Sequence, residues 1–343
     1  TIAPGIVETP MLATVSDEFR AGLAAGVPFP QRLARPEEYA KLALGIRPRL
    51  RQRRDDPHGR RAADGPALTR TSRMPGREGR MPGRHLRLRR ILRDDLRQDI
   101  ALPDRVDRIV SLVPSLTEAL AVTVPDRLVG ATDWCNHPAD LDARGVGRVR
   151  GTKNPDLAAI AALQPDLVVA NKEENRELDV RRLRERGIPV WVTDIETVPA
   201  SITSMRRLLR EVLGLREDPA WLAEADRAWS GPVPAPSARV VVPIWRDPWM
   251  VIGRPTFTAD LLARSGFQVV TAGVTGRYPG LEPEVIDDPA LADLVLLPDE
   301  PYVFTAADGP EVFERLPTRL VSGRLITWYG PSLIEARISL DRS

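Results

Sequence analysis

From about Leu92 to the last residue, short β-branched runs alternate with helical segments, and no other feature restricts the possible folds as strongly. RIVSLVP, RLVGATD, DLVVAN and PVWVTD are bounded by Gly, Pro or Asp. Between them SLTEALAV, DLAAIAAL and LDVRRLRERG have helical spacing, with starts at Ser115 and Asp156. Such βα alternation predicts a parallel sheet covered by helices. A second series follows: RVVVPIW, WMVIG, FTADLLARSG, DLVLLP, PEVFERL, RLITW and SLIEARISL. Between the two series, SITSMRRLLREVLGLREDPAWLAEADRAW predicts one long helix over roughly 201–229. The expected architecture is α/β. It has two Rossmann-like lobes, 99–198 and 237–343, bridged by one long helix within 199–236, and a mostly disordered N-terminal extension. A helical bridge restricts opening more than flexible strand crossovers do.

The extension has a different character. Residues 47–98 hold 17 Arg, no Lys and six acids, a net charge of +11 inside a chain whose total is +2. Gly and Pro interrupt the run and little aliphatic periodicity remains, so it cannot bury enough apolar surface to offset its ordering entropy. A nucleic-acid-binding arm is one reading of such charge. The run has no aromatic residue for base stacking, and its near-repeat RMPGREGRMPGR resembles GC-rich sequence read in an unintended frame. A disordered linker is therefore expected, with no nucleic-acid partner.

Residues 1–46 contain Pro4-Gly5, Thr9-Pro10-Met11 and VPFPQRLARPEEYAKLAL, which resemble the C-terminal end of short-chain dehydrogenases. That family's Gly-rich dinucleotide turn and Tyr-x-x-x-Lys pair have no counterpart in this piece, so a dehydrogenase remnant without hydride-transfer machinery is expected. No run approaches the roughly 18 apolar residues of a membrane span. TIAPGIVETPML carries no basic and apolar leader pattern, which predicts a cytoplasmic protein for the chain as given, or a periplasmic or cell-surface one if its true start differs.

RIVSLVPSLTEAL (residues 108–120), GATDWCNHP, GTKNPDLAAIAALQPDLVVANKEEN, GIPVWVTD, RPTFTADLLARSGF, VLLPDEPYVF and LITWYGPS follow one another in an order that resembles the vitamin B12 and iron-siderophore binding proteins of ABC importers. The resemblance covers about 245 residues. It implies non-catalytic capture of a corrinoid, cobalamin foremost, between the lobes of a monomer. Haem and ferric siderophores are the alternative ligands.

In open parallel sheets ligands bind beyond the carboxyl ends of the strands. The candidate ligand-binding residues are therefore Pro114, Ser115, Trp134, Asn171, Lys172, Trp245, Phe257, Tyr278, Tyr302 and Trp328. Aromatic faces with a few polar groups suit a large, flat, partly apolar ligand. Ser115 and Glu118 read as a capping box, S-x-x-E. Cys135 and His137 are too few for a metal site, although His137 is placed to approach a bound cobalt axially. Trp191, Trp221 and Trp229 read as core. No nucleophile elbow, P-loop or zinc-protease motif occurs, so neither an enzyme nor a catalytic cofactor is expected.

Importer-type relatives carry a surface glutamate on each lobe that pairs with the permease. By the resemblance these would fall near Ala158 and at Ala263. Alanine there predicts weak permease docking and leaves a cytosolic corrinoid carrier or sensor as an alternative to an importer component.

Overall fold

The computed structural model describes residues 88–270 and 276–341, all within the unit Arg80–Ser343. The dehydrogenase-like piece and the Arg-rich run up to residue 87 lie outside the described residues. The end of that run departs from the expectation of disorder. β1 (Leu88–Arg93) pairs antiparallel with β2 (Asp99–Pro103). Its acids and arginines are tied down by specific partners. Asp94 is buried, accepts from Gln98 N at 2.9 Å and pairs with Arg184 at 2.9 Å. Arg90 donates to the carbonyls of Glu211 and Val212 at 2.9 and 3.0 Å.

The first lobe is built from β3 (Ile109–Ser111), α1 (Pro114–Thr123), β4 (Leu128–Ala131), β5 (Gly147–Arg148), the small hairpin β6 (Arg150–Gly151) and β7 (Asn154–Pro155), α2 (Leu157–Ala162), β8 (Leu167–Asn171), α3 (Glu177–Glu185) and β9 (Val190–Thr193). Its five-stranded sheet has the order β5-β4-β3-β8-β9, and every pairing is parallel. LVVAN and VWVT are buried at every position, as strands covered on both faces must be. Asp156 caps α2 by accepting from Ala158 N and Ala159 N, both at 3.0 Å, and these bonds hold its carboxyl below the usual range.

The bridge is not a single helix. α4 (Val198–Arg206) runs into a π-helical turn, Arg207–Val212, and the chain bends before α5 (Ala220–Trp229). Gly214 sits in the bend at φ +77°, a conformation glycine adopts without steric cost. Arg206 pins the corner by bonding Asp218 at 2.7 Å and Asp226 at 2.8 Å.

The second lobe contains β10 (Ala238–Val241), the hairpin β11 (Pro243–Trp245) and β12 (Met250–Val251), α6 (Phe257–Arg264), β13 (Phe267–Val269), α7 (Pro283–Ile286), β14 (Leu294–Pro298), β15 (Thr318–Val321), α8 (Gly323–Thr327) and α9 (Ser332–Asp341). Its sheet is again parallel, in the order β13-β10-β14-β15. One buried apolar cluster runs from Leu116 and Val169 in the first lobe through Met205 and Trp229 of the bridge to Leu261 and Leu333 in the second. Moving one lobe against the other would expose part of this shared core. The expected α/β architecture of two parallel-sheet lobes therefore stands, with the helical bridge in two parts. Among the described residues no helix is long and apolar enough to cross a membrane.

Candidate functional site

Each sheet reverses its winding once. In the first lobe the chain moves from β3 outward to β4 and β5, then crosses to β8 on the other side of β3. In the second it moves from β10 to β13, then crosses to β14. The crevice at such a switch point, beyond the strands' carboxyl ends, is where parallel sheets hold ligands. Here the two switch points contribute residues 112–115 and 172–175 from one lobe, and 242–245 and 299–302 from the other.

The NKEEN turn after β8 is built by its two asparagines. Asn171 Oδ1 accepts from Glu173 N at 2.8 Å and from Glu174 N at 3.3 Å, while its amide donates to Thr193 Oγ1 at 3.1 Å. Asn175 Oδ1 accepts from Asn171 N at 2.9 Å, and its amide donates to Leu112 O at 3.2 Å and Thr152 O at 3.0 Å. Asn171 thus shapes the turn with a buried side chain already supplied with partners. Lys172 is half-exposed and pairs with Asp194 at 2.8 Å. The residues the turn presents are Glu173 and Glu174.

Both glutamates meet the second lobe. Glu173 accepts from Tyr278 OH and from Arg277 Nη1, the latter at 3.2 Å. Arg277 also bonds Glu196. Glu174 accepts from Tyr329 OH at 3.3 Å. Burial pushes the Glu174 carboxyl up to about 7; the Tyr329 hydroxyl and Lys153 oppose this, and the neighbouring Glu173 and Glu300 add to it. Burial, followed by the nearby carboxylates, also raises Tyr278 and Tyr329. Gly253 is required here: its N–H donates to Arg277 O at 2.6 Å, and a Cβ would strike the backbone of Gly276.

The loop after β4 places Trp134 on the surface, 68% exposed. Next to it Cys135 is fully buried, between the hydroxyls of Thr117 at 3.0 Å and Thr132 at 3.1 Å. Burial pushes its thiol up, so it faces the core and not a ligand. His137 bonds Asn136 at 2.8 Å and packs edge-on against Trp328 of the other lobe, with ring centres 5.4 Å apart. No group of three or more His, Cys, Asp or Glu suited to a metal occurs among the described residues.

Pro114 opens α1 as its first helical residue, and Val113 precedes it as the cap, so Ser115 lies inside the first turn. The capping-box reading of Ser115 and Glu118 is therefore replaced. Glu118 is 5% exposed and bonds Arg324 of the second lobe. In the second lobe Trp245 is 45% exposed and meets Tyr302 edge-on at 5.8 Å. Tyr302 leans on Phe304 at 4.6 Å, and Phe304 stacks on the buried Trp249 at 5.8 Å. Phe257 is buried beneath Tyr329 at 5.5 Å and acts as support. Trp328 is also buried, between His137 and the Arg324 guanidinium. The candidate ligand-binding residues read from the sequence do not include Glu173, Glu174, Arg277 or Tyr329. Two adjacent acids beyond a strand suit a helix start as well as a binding edge, and only the fold brings these two against the second lobe.

Of the two alanines at the expected permease contacts, Ala158 is exposed in the first turn of α2. Ala263 is half-buried and lines a hollow of about 400 Å³ with Glu196, Thr197, Arg254 and Asp260.

No protein-family model matches the chain. The vitamin B12-binding protein of Pectobacterium atrosepticum is 24% identical over 197 residues, 54% of this chain and 68% of that protein. The type-2 3-hydroxyacyl-CoA dehydrogenase of Drosophila melanogaster is 54% identical over only 46 residues, 13% of this chain and 18% of that enzyme. Among solved structures, the periplasmic vitamin B12 binding protein of Vibrio cholerae aligns with a TM-score of 0.53 at 16% identity, covering 69% of this chain and 96% of that one. The periplasmic haem-binding protein of Roseiflexus sp. RS-1 aligns with a TM-score of 0.55 at 19% identity, covering 69% and 98%. The longer matches are to solute-binding proteins, and the dehydrogenase match is a fragment. Sequence relatives and fold together make the chain similar to the vitamin B12-binding and haem-binding periplasmic proteins, and the solved structures show that it shares their fold.

Proposed function

We propose that the chain captures a corrinoid, cobalamin foremost, reversibly and without chemistry in the cleft between its lobes. The observation that carries this reading is the pair of exposed indoles, Trp134 and Trp245, one beyond the carboxyl ends of each sheet. Large apolar side chains left in solvent at a switch point cost hydration free energy, and a flat macrocycle stacked on them removes that cost. Tyr302 and Tyr278 extend the aromatic rim. Ser115 contributes its position at the start of α1, and Lys172 offers a cation at the edge. The relatives named for vitamin B12 support the same ligand.

Haem is the second reading. It is favoured by the tyrosine hydroxyls at the cleft, because a phenolate is a competent iron ligand. Against it, Tyr278 and Tyr329 donate to Glu173 and Glu174, whose charge opposes ionisation of both. His137 remains the candidate axial group for either metal.

The protein acts as a monomeric carrier, either the substrate-binding component of an importer or a corrinoid carrier without one. The first role requires a periplasmic or cell-surface location, and the structural neighbours are named as periplasmic. The cytoplasmic expectation has no counterpart among them. Equilibrium dialysis of the full chain against cyanocobalamin and haemin separates the readings. Micromolar or tighter 1:1 retention of cyanocobalamin is expected. Retention of haemin alone would discard the corrinoid.

A further inference from the structure

Carboxylates follow the switch-point strands of both lobes. Glu173 and Glu174 follow β8 at the switch point of the first lobe, and Glu300 follows β14 at that of the second. Burial pushes the Glu300 carboxyl up, with Trp328, Thr327 and Arg324 opposing this and Asp299 adding to it, and Glu300 in turn adds to the rise of Glu174. One oxygen of Glu300, Oε1, is buried with no hydrogen-bond partner. Deeper, between α1 and the segment after α8, the nine-tenths-buried Glu118 turns its Oε2 toward Gly330, also without a partner.

Lys153 offsets Glu174 and Arg324 offsets Glu300 only in part, because the cations nearby are shared or paired elsewhere. Arg277 is shared by Glu173 and Glu196. Arg324 is shared by Glu118 and Glu335. Lys172 is paired with Asp194, and Lys153 gives its ammonium to the Glu173 carbonyl at 2.5 Å. Asp299, beside Glu300, accepts from Gly323 N at 2.6 Å and adds a further negative charge.

We infer that the cleft selects its ligand by charge: Glu174 and Glu300 accept hydrogen bonds from neutral N–H donors on a macrocycle rim and repel rims that carry carboxylates. An unpaired acceptor in a desolvated site is costly until a donor arrives. A carboxylate brought to the same place adds like-charge repulsion where water cannot screen it, which is how sites reject near-isosteric competitors. The rim of a corrin carries primary amides, whereas a haem carries two propionates. The inference depends on the proposed function only in placing a macrocycle in this cleft.

The test compares ligands that differ by charge alone, on the full chain at pH 8: cyanocobalamin against its monocarboxylic acid, in which one rim amide is hydrolysed, and haemin dimethyl ester against haemin. In each pair that binds, the neutral form should bind at least tenfold tighter. Glu174→Gln and Glu300→Gln should each narrow that gap, to under threefold together. If cyanocobalamin and its acid bind equally, charge selection is overturned while the corrinoid reading stands. If no corrinoid binds but haemin ester outbinds haemin, the corrinoid reading falls and charge selection stands. Tighter binding of haemin than of its ester, or binding of none of the four, overturns both. A gap that persists unchanged in both glutamine variants, with their circular dichroism intact, removes these residues from the role.

Discussion

The two carboxyl edges that face each other across the cleft are made in opposite ways. In the first lobe the edge is polar and fixed by hydrogen bonds, because Asn171 and Asn175 use their side chains to hold a five-residue turn and to present two glutamates. In the second lobe the edge is a ladder of rings: Trp245 on Tyr302, Tyr302 on Phe304, and Phe304 on the buried Trp249. Hydrogen bonds fix direction and ring packing supplies area. A ligand held between such edges is oriented by one lobe and desolvated by the other.

Breaking the ring ladder should have the largest effect. Trp249 is buried against Phe304 and Phe313, so Trp249→Ala should cost about 4 kcal/mol in denaturant unfolding. Asn175→Ala should cost about 3 kcal/mol, because it leaves the Leu112 carbonyl and the Asn171 N–H buried without partners. A cost under about 1 kcal/mol would show that the turn holds its shape without them. Asp94→Ala, which unties the hairpin from Arg184, should cost about 2 kcal/mol by the same assay.

A smaller effect separates the edges by pH. Glu174 holds its proton to about 7 in the folded protein, against 4.5 for an ordinary glutamate. The folded state therefore binds the extra proton, and the stability associated with it is complete below pH 4.5 and lost as pH rises through 7. Glu174→Gln should flatten that decline and leave the variant more stable than the parent at pH 8. An unchanged stability–pH curve would place this carboxyl in contact with water. The smallest effect is expected at Ala158, which is exposed in the first turn of α2. Ala158→Glu should change ligand affinity less than twofold in an equilibrium titration.

The parallel sheets were legible because central strands such as LVVAN and DLVLLP are short apolar runs bounded by polar residues or Pro, which suits strands covered on both faces. The bend in the bridge was written in Gly214 and Pro219, but the apolar periodicity on either side concealed it. The hairpin at Leu88–Pro103 was not legible. Its Arg-rich strand has an ordinary disordered composition, and its order comes from carbonyls and arginines more than 80 residues away. The aromatic shelf was visible in the placement of Trp245 and Tyr302 at strand ends. Glu174 was not, since only a partner 155 residues away gives a double acid at a helix start its role.

The central claim is a flat ligand gripped between two dissimilar edges, and calorimetric titration of the full chain with cyanocobalamin tests it most directly when repeated on Trp134→Ala and Trp245→Ala. The account predicts 1:1 binding at micromolar affinity or tighter, weakened at least fivefold by each substitution. Binding that neither substitution weakens would place the ligand away from this cleft and contradict the account.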